Sequence, residues 1–420
     1  MRVADQLWID HFIQAPLDHG DPGGERIEVY AREVVDADRA NESLPVLLYL
    51  QGGPGHASDR PGPGHGWLGE ALRDYRVLFM DSRGTGRSTP VNAVRLAARG
   101  SVAEQARYLT HFRADSIVAD AELLRRELIG DGRFTLLAQS FGGWCAMTYL
   151  SFAPDGLANV YICGGLPSLT ASADDVYRAA YPRLINANAH YFDRFPEDRD
   201  RLHRLCGHLE RRVVRLPRGE RLSARRLRTL GIQLGLTDGF DRLHFLLESA
   251  FPGSSSAPVP GDGFLAAADA LLSFAGRPLF CVLHEAVYCQ GRASRWAAQR
   301  IGAEFPQFGE TASVPLFTGE MIFPWYFEED PTLRPFAEIA EALAEYEGWT
   351  PLYDRAALAD NRVPVRAVVY ARDLFVDAEM SMRAAAEVAN TTTWLSEDLE
   401  HDALRKGQVF ERLLAREPLA

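Results

Sequence analysis

The sequence predicts an α/β fold: a mostly parallel central sheet interrupted by a large, mainly helical insertion. Three observations lead there. Short, continuously apolar runs recur through the first 165 residues, helical periodicities separate them, and the same strand pattern returns only near residue 365. Strands that are apolar throughout suit a sheet covered on both faces, and intervening helices supply the crossovers a parallel sheet needs.

Taken in order, residues 27–35 (IEVYAREVV) alternate moderately and form the first predicted strand. The runs PVLLYL at 45–50, YRVLFM at 75–80, FTLL at 134–137 and VYIC at 160–163 read as strands buried on both faces. A helix is predicted over 114–127, with Ile117, Leu124 and Leu128 along one side. Between 167 and 353 helical periodicity dominates, broken by the loop-like FPGSSSAPVPGDG at 251–263. VRAVVY at 365–370 and TTTWL at 391–395 then restore the strand pattern. The expected organisation is therefore an α/β domain formed by 1–166 and 354–420, with a helical cap at 167–353.

Composition narrows the function classes. With 420 residues, 47% hydrophobic and 24% charged, the chain reads as ordinary globular protein. No apolar stretch approaches the roughly 20 residues of a membrane span, and MRVADQLWIDHF lacks a basic then apolar leader, so a cytoplasmic, membrane-free protein is expected. A net charge of −12 argues against a nucleic-acid partner. The eleven arginines of 199–228 are expected to form a solvated face paired with the acidic remainder. Five scattered cysteines with no CxxC pair read as buried free thiols. His190, His203 and His208 form no HExxH, His284-Glu285 has no second histidine at ligand spacing, and no GxGxxG is present. Neither a metal nor another cofactor is expected.

The strongest chemical signal is LLAQSFGG at 136–143, an apolar strand entering a tight turn with Ser140 at its tip and a helical run following at once. That is the setting of a nucleophile elbow, in which small neighbours let strand and helix close on a strained serine. Gly142 and Gly143 meet the need, and Ala138 stands where glycine is usual. After PVLLYL, the loop QGGPG at 51–55 offers backbone N–H groups to a developing oxyanion; the donors are assigned to Gly53 and Phe141, with Gly52 or the neighbours of Pro54 as alternatives to Gly53. DSRGTGRS at 81–88 is read as a bracing loop in which Asp81 and Arg83 pin the turn. An orienting acid and a base should follow the serine in that order. Asp373, just after VRAVVY, is the expected acid, with Asp377 in reserve; His401, the only histidine downstream, is the expected base.

Together these motifs resemble the prolyl aminopeptidases (proline iminopeptidases), serine peptidases of the α/β-hydrolase fold. VLHEAVYCQG at 282–291 and FTGEMIFPWYFE at 317–328 are similar to segments of the longer members. Gln51 and Ala138 depart from the family's usual His and Gly. The resemblance implies release of an N-terminal residue, preferably proline, from small peptides with a free N-terminus, without a cofactor. It also implies cap carboxylates that bind the substrate ammonium: Glu285 first, then Glu320, then Glu248. Tyr288, Phe323, Trp325, Tyr326 and Phe327 either wall the proline pocket or pack the cap core. An esterase or lactonase on the same scaffold, or a non-catalytic ligand-binding protein, is the alternative.

Overall fold

The computed structural model describes residues 1–60, 66–252, 259–309, 312, 314–405 and 408–415, so 253–258 of the predicted 251–263 loop lie outside the described residues. Among these residues the strands are β1 (Arg2–Val3), β2 (Gln6–Pro16), β3 (Arg26–Asp36), β4 (Val46–Leu50), β5 (Arg76–Met80), β6 (Phe134–Gln139), β7 (Leu157–Cys163), β8 (Val365–Tyr370) and β9 (Thr391–Ser396). They form one sheet in the order β1-β2-β3-β5-β4-β6-β7-β8-β9. From β5 to β9 every pairing is parallel, while β1, β2 and β3 join antiparallel at one edge.

The first two strands are not foreseen by the apolar runs. Leu7, Ile9, Ile13 and Ala15 alternate with Asp10 and Gln14, but Trp8 and Phe12 on the other face blur the pattern. Pairing with β3 along the whole of β2 makes that stretch a strand despite its mixed faces. The central strands behave as expected: every residue of β4 and β6 is buried.

The helix Ala114–Ile129 covers one face with Ile117 and Leu124 buried. That face's core includes Leu136 and Trp144 and runs on without a break into Tyr177, Leu184, Leu230 and Phe264 of the insertion. The opposite face is closed by Trp67, Leu68, Phe410 and Leu413. Each such side chain contributes roughly 1.5–3 kcal/mol of burial.

Between β7 and β8 the chain is mainly helical, with Ala173–Arg194, Pro196–Arg211, Gly239–Glu248, Asp262–Leu272 and Ala337–Ala344 as its longer elements. Several arginines of 199–228 pair within it: Arg201 with Asp198 (2.7 Å), Arg218 with Asp269 (2.7 Å), Arg225 with Glu329 (2.7 Å) and Arg226 with Asp330 (2.9 Å). The five cysteines are buried and unbridged. No described helix is long and apolar enough to cross a membrane.

Candidate active site

β6 delivers Ser140 into a backbone conformation that L-residues avoid, φ 51° and ψ −123°, at the entry of the helix Phe141–Phe152. Such a conformation costs on the order of 1–3 kcal/mol and persists only where its surroundings hold it. Ser140 N–H donates to Cys163 O at 3.0 Å, and Gly143 N–H donates to Ser140 O at 2.7 Å. The neighbours leave no room for side chains. A Cβ on Gly142 would sit 2.2 Å from Leu50 O, one on Gly143 1.8 Å from Gly165 O, and one on Gly165 2.3 Å from Ser140 O. Ala138, by contrast, lies in register between Leu50 and Ile162 with its methyl buried, so the elbow accommodates alanine where glycine is usual.

The loop after β4 lies directly against the serine: a Cβ on Gly52 would be 3.0 Å from Ser140 Cβ and 3.6 Å from its Oγ. Gly53 adopts φ 142°, open only to glycine. The N–H groups of Gly53 and Phe141 donate to no protein acceptor among the described residues, and Gly53 lines the same cavity as Ser140.

Asp81, fully buried, ties this loop down. It accepts from Ser58 N–H (3.0 Å) and Arg87 N–H (2.9 Å) and takes a two-point contact from Arg60 at 2.9 and 2.5 Å. A Cβ on Gly86 would lie 2.1 Å from the Asp81 carboxylate. Asp81 and Arg83 both brace the loop as expected, each through its own partners. Arg83 forks onto Asp120 at 2.8 and 2.6 Å and donates to the carbonyls of Pro16, Leu17 and His111. Neighbours two apart in a tight loop lack the reach for a fork-shaped pair, so each buried ion takes a more distant partner.

Asp373 follows β8. One carboxylate oxygen accepts from Phe375 N–H (2.8 Å) and Val376 N–H (3.1 Å), while the other meets His401 Nδ1 at 2.8 Å. Both side chains are buried, Asp373 at 2% and His401 at 7% exposure. Asp377, the reserve acid, is engaged elsewhere: it caps the helix Ala378–Glu387 through Met380 N–H (2.7 Å) and pairs with Arg183. The His401 segment is held by groups that sequence patterns do not single out. Gln139 Nε2 donates to His401 O (2.9 Å), and Asp402 accepts from the backbone and hydroxyl of Thr237 at 2.8 and 2.7 Å. Burial alone would push the imidazole below its ordinary value, but the charge and hydrogen bond of Asp373, helped by Glu320, hold it above. With Nδ1 facing Asp373, Nε2 is the nitrogen left for proton transfer.

Ser140 and His401 line one cavity of about 630 Å³, shared with Gln51, Gly52, Gly53 and Phe375 and, from the insertion, Ile232, Leu236, Arg277 and Glu320. Glu320 is half-buried there. Burial raises its carboxyl to about 7; His401 and Arg277 oppose the rise and Asp373 adds to it. Glu285, placed first by the family resemblance, does not line this cavity. Its two oxygens accept from Ala297 N–H (3.0 Å) and Ala298 N–H (2.9 Å), at the start of the helix Ala297–Gly302. Glu320 therefore reaches the cavity and Glu285 does not, because a buried carboxylate takes the free N–H groups of a helix start when they are within reach. Glu248 is exposed.

Among the five aromatics singled out by the sequence, Phe323, Trp325 and Tyr326 pack on one another at 4.6–5.9 Å, away from the cavity. Tyr288 borders an adjoining cleft with Trp144, Tyr353 and Phe375. Phe375 lines both spaces and meets the His401 ring edge-on at 4.6 Å. Its place beside Asp373 in ARDLF was the available signal for it.

Residues 45–247 match the family model described as the alpha/beta hydrolase fold. The chain is 45% identical over 408 residues to a proline iminopeptidase of Aeromonas sobria, covering 96% of this chain and 95% of that protein. It is 34% identical over 419 residues to a proline iminopeptidase of Aspergillus aculeatus, covering 96% and 92% respectively. Among solved structures, the proline iminopeptidase of Mycobacterium smegmatis matches with a TM-score of 0.44 at 14% identity, over 93% of this chain and 91% of that one.

Proposed function

The chain belongs to the proline iminopeptidase family, and on that premise we propose that it is a serine exopeptidase releasing an N-terminal residue, preferably proline, from peptides. His401, oriented by Asp373, takes the proton of Ser140 Oγ as that oxygen attacks the carbonyl of the N-terminal residue. The N–H groups of Gly53 and Phe141 receive the oxyanion, each worth roughly 3–4 kcal/mol. His401 then passes its proton to the departing peptide amine. Water, deprotonated by the same imidazole, attacks the acyl carbon, the bond to Ser140 Oγ breaks, and His401 returns the proton to that oxygen as the amino acid leaves.

The observation that carries this reading is the union of three groups at one cavity. They are a strained serine, an imidazole bonded to a buried carboxylate at 2.8 Å, and a half-buried Glu320 with no ion-pair partner among the described residues. The first two suit acyl transfer of any kind; the third suits a substrate with a free ammonium. Glu285, anchored on the 297–298 amides, serves in this reading to hold the cap segment behind Glu320. The segment 167–353 acts as the cap that limits the site to one residue.

Ser140→Ala is expected to abolish hydrolysis of prolyl-naphthylamide while circular dichroism and melting temperature stay near wild type. Retention of more than a few per cent of turnover would remove Ser140 as nucleophile. A short-chain ester or an N-blocked prolyl amide turned over better than the free prolyl amide would favour the esterase alternative.

A further inference from the structure

The insertion brings two opposite charges to the cavity, Glu320 and Arg277, and among the described residues neither forms an ion pair within 4.0 Å. The other ions lining it are engaged. Arg405 holds Asp59 at 2.9 Å, and Asp402 holds Thr237. Arg277 is placed without a carboxylate: its guanidinium carbon lies 5.6 Å from the ring centre of Phe274 and 5.8 Å from that of Phe280, two rings stacked at 13°. An aromatic shelf of this kind steadies a guanidinium through its face and leaves the N–H edge unoccupied. The Arg277 charge reaches Glu320, whose ionisation it eases, but does so at a distance.

We propose that Arg277 binds the C-terminal carboxylate of the substrate, so that the preferred substrates are short peptides with both termini free. The assignment rests on the peptidase reading above. A ligand bringing only an ammonium to Glu320 would leave Arg277 as an uncompensated cation in a partly desolvated cavity. A short zwitterion meets both charges and adds none. Arginine suits the second contact because its planar fork matches a carboxylate at two points.

The test compares Pro-Gly-Gly with Pro-Gly-Gly-amide on the same enzyme at low salt, with prolyl-naphthylamide as a substrate lacking any carboxylate. Wild type is expected to favour the free acid in kcat/KM by about ten-fold or more. Arg277→Gln should bring that ratio close to one, and Arg277→Lys should keep part of it. Because the ratio is taken on one preparation, any loss of folded protein cancels. Prolyl-naphthylamide hydrolysis with a wild-type ratio near one, or a ratio unchanged in Arg277→Gln, overturns the Arg277 assignment alone. Failure of wild type on all three substrates overturns the peptidase reading, and the Arg277 assignment falls with it.

Discussion

Replacing Glu320 by glutamine removes one charge at nearly constant volume, in the cavity that holds Ser140 and His401. Burial, opposed by the charges of His401 and Arg277 and reinforced by Asp373, lifts this carboxyl from 4.5 to about 7, which at about 1.4 kcal/mol per tenfold change in ionisation is a net penalty on the anion of roughly 3 kcal/mol. A substrate ammonium offsets that cost by pairing with the carboxylate; the glutamine amide accepts one hydrogen bond and supplies no charge. The expected loss in kcat/KM for prolyl-naphthylamide is about 10²-fold, equivalent to a charged contact of about 2–4 kcal/mol, whereas p-nitrophenyl acetate, which has no amine, should lose far less. The pH profile gives an independent readout. Ionised Glu320 helps hold His401 above its ordinary value, and protonated His401 in turn eases Glu320 ionisation, with Asp373 and Arg277 as the other charges acting on Glu320. In wild type the two lose protons as a coupled pair as pH rises, and the active form has both deprotonated. Without the Glu320 charge, His401 deprotonates at lower pH, so the rising limb of kcat/KM should move toward acid. Equal losses on arylamide and ester, or a limb that stays in place, would refute the ammonium contact.

Other substitutions probe the supports. Asp373→Asn keeps an acceptor for Phe375 and Val376 N–H but no longer fixes the His401 tautomer or stabilises its charged form. We expect kcat to fall about 10³–10⁴-fold with KM little changed, measured on prolyl-naphthylamide. Arg83→Met leaves Asp120, fully buried, without its two-point partner, and should lower unfolding free energy in urea by about 3–5 kcal/mol. The double change Arg83→Met with Asp120→Asn should recover part of that loss.

The elbow and the strands around it were legible because their causes are local. A run such as PVLLYL or FTLLAQ can be buried on both faces only in the middle of a covered sheet, and the glycines at 142 and 143, just past Ser140-Phe141, admit the backbone path that lets β6 and the next helix touch. Loops with a buried carboxylate were legible as braces but not as pairs: Asp81 and Arg83 sit two apart, and their partners Arg60 and Asp120 come from segments 21 and 37 residues away. β2 escaped because Trp8 and Phe12 sit on the face where a clean alternation would place polar residues, and only its ladder to β3 decides the matter.

By itself, then, the amino-acid order determined the α/β layout, the serine turn and the glycine loop beside it. Those follow from steric rules acting over a few residues and from the short periods of strand and helix. Which glutamate lines the cavity of the serine, which aromatic ring borders the imidazole and which arginine of that cavity stands without a carboxylate were decided by tertiary structure alone. In an insertion of many helices a side chain's neighbours are set by packing between distant segments. Glu285 found the 297–298 amides within reach and Glu320 found only the cavity, a difference no local pattern encodes.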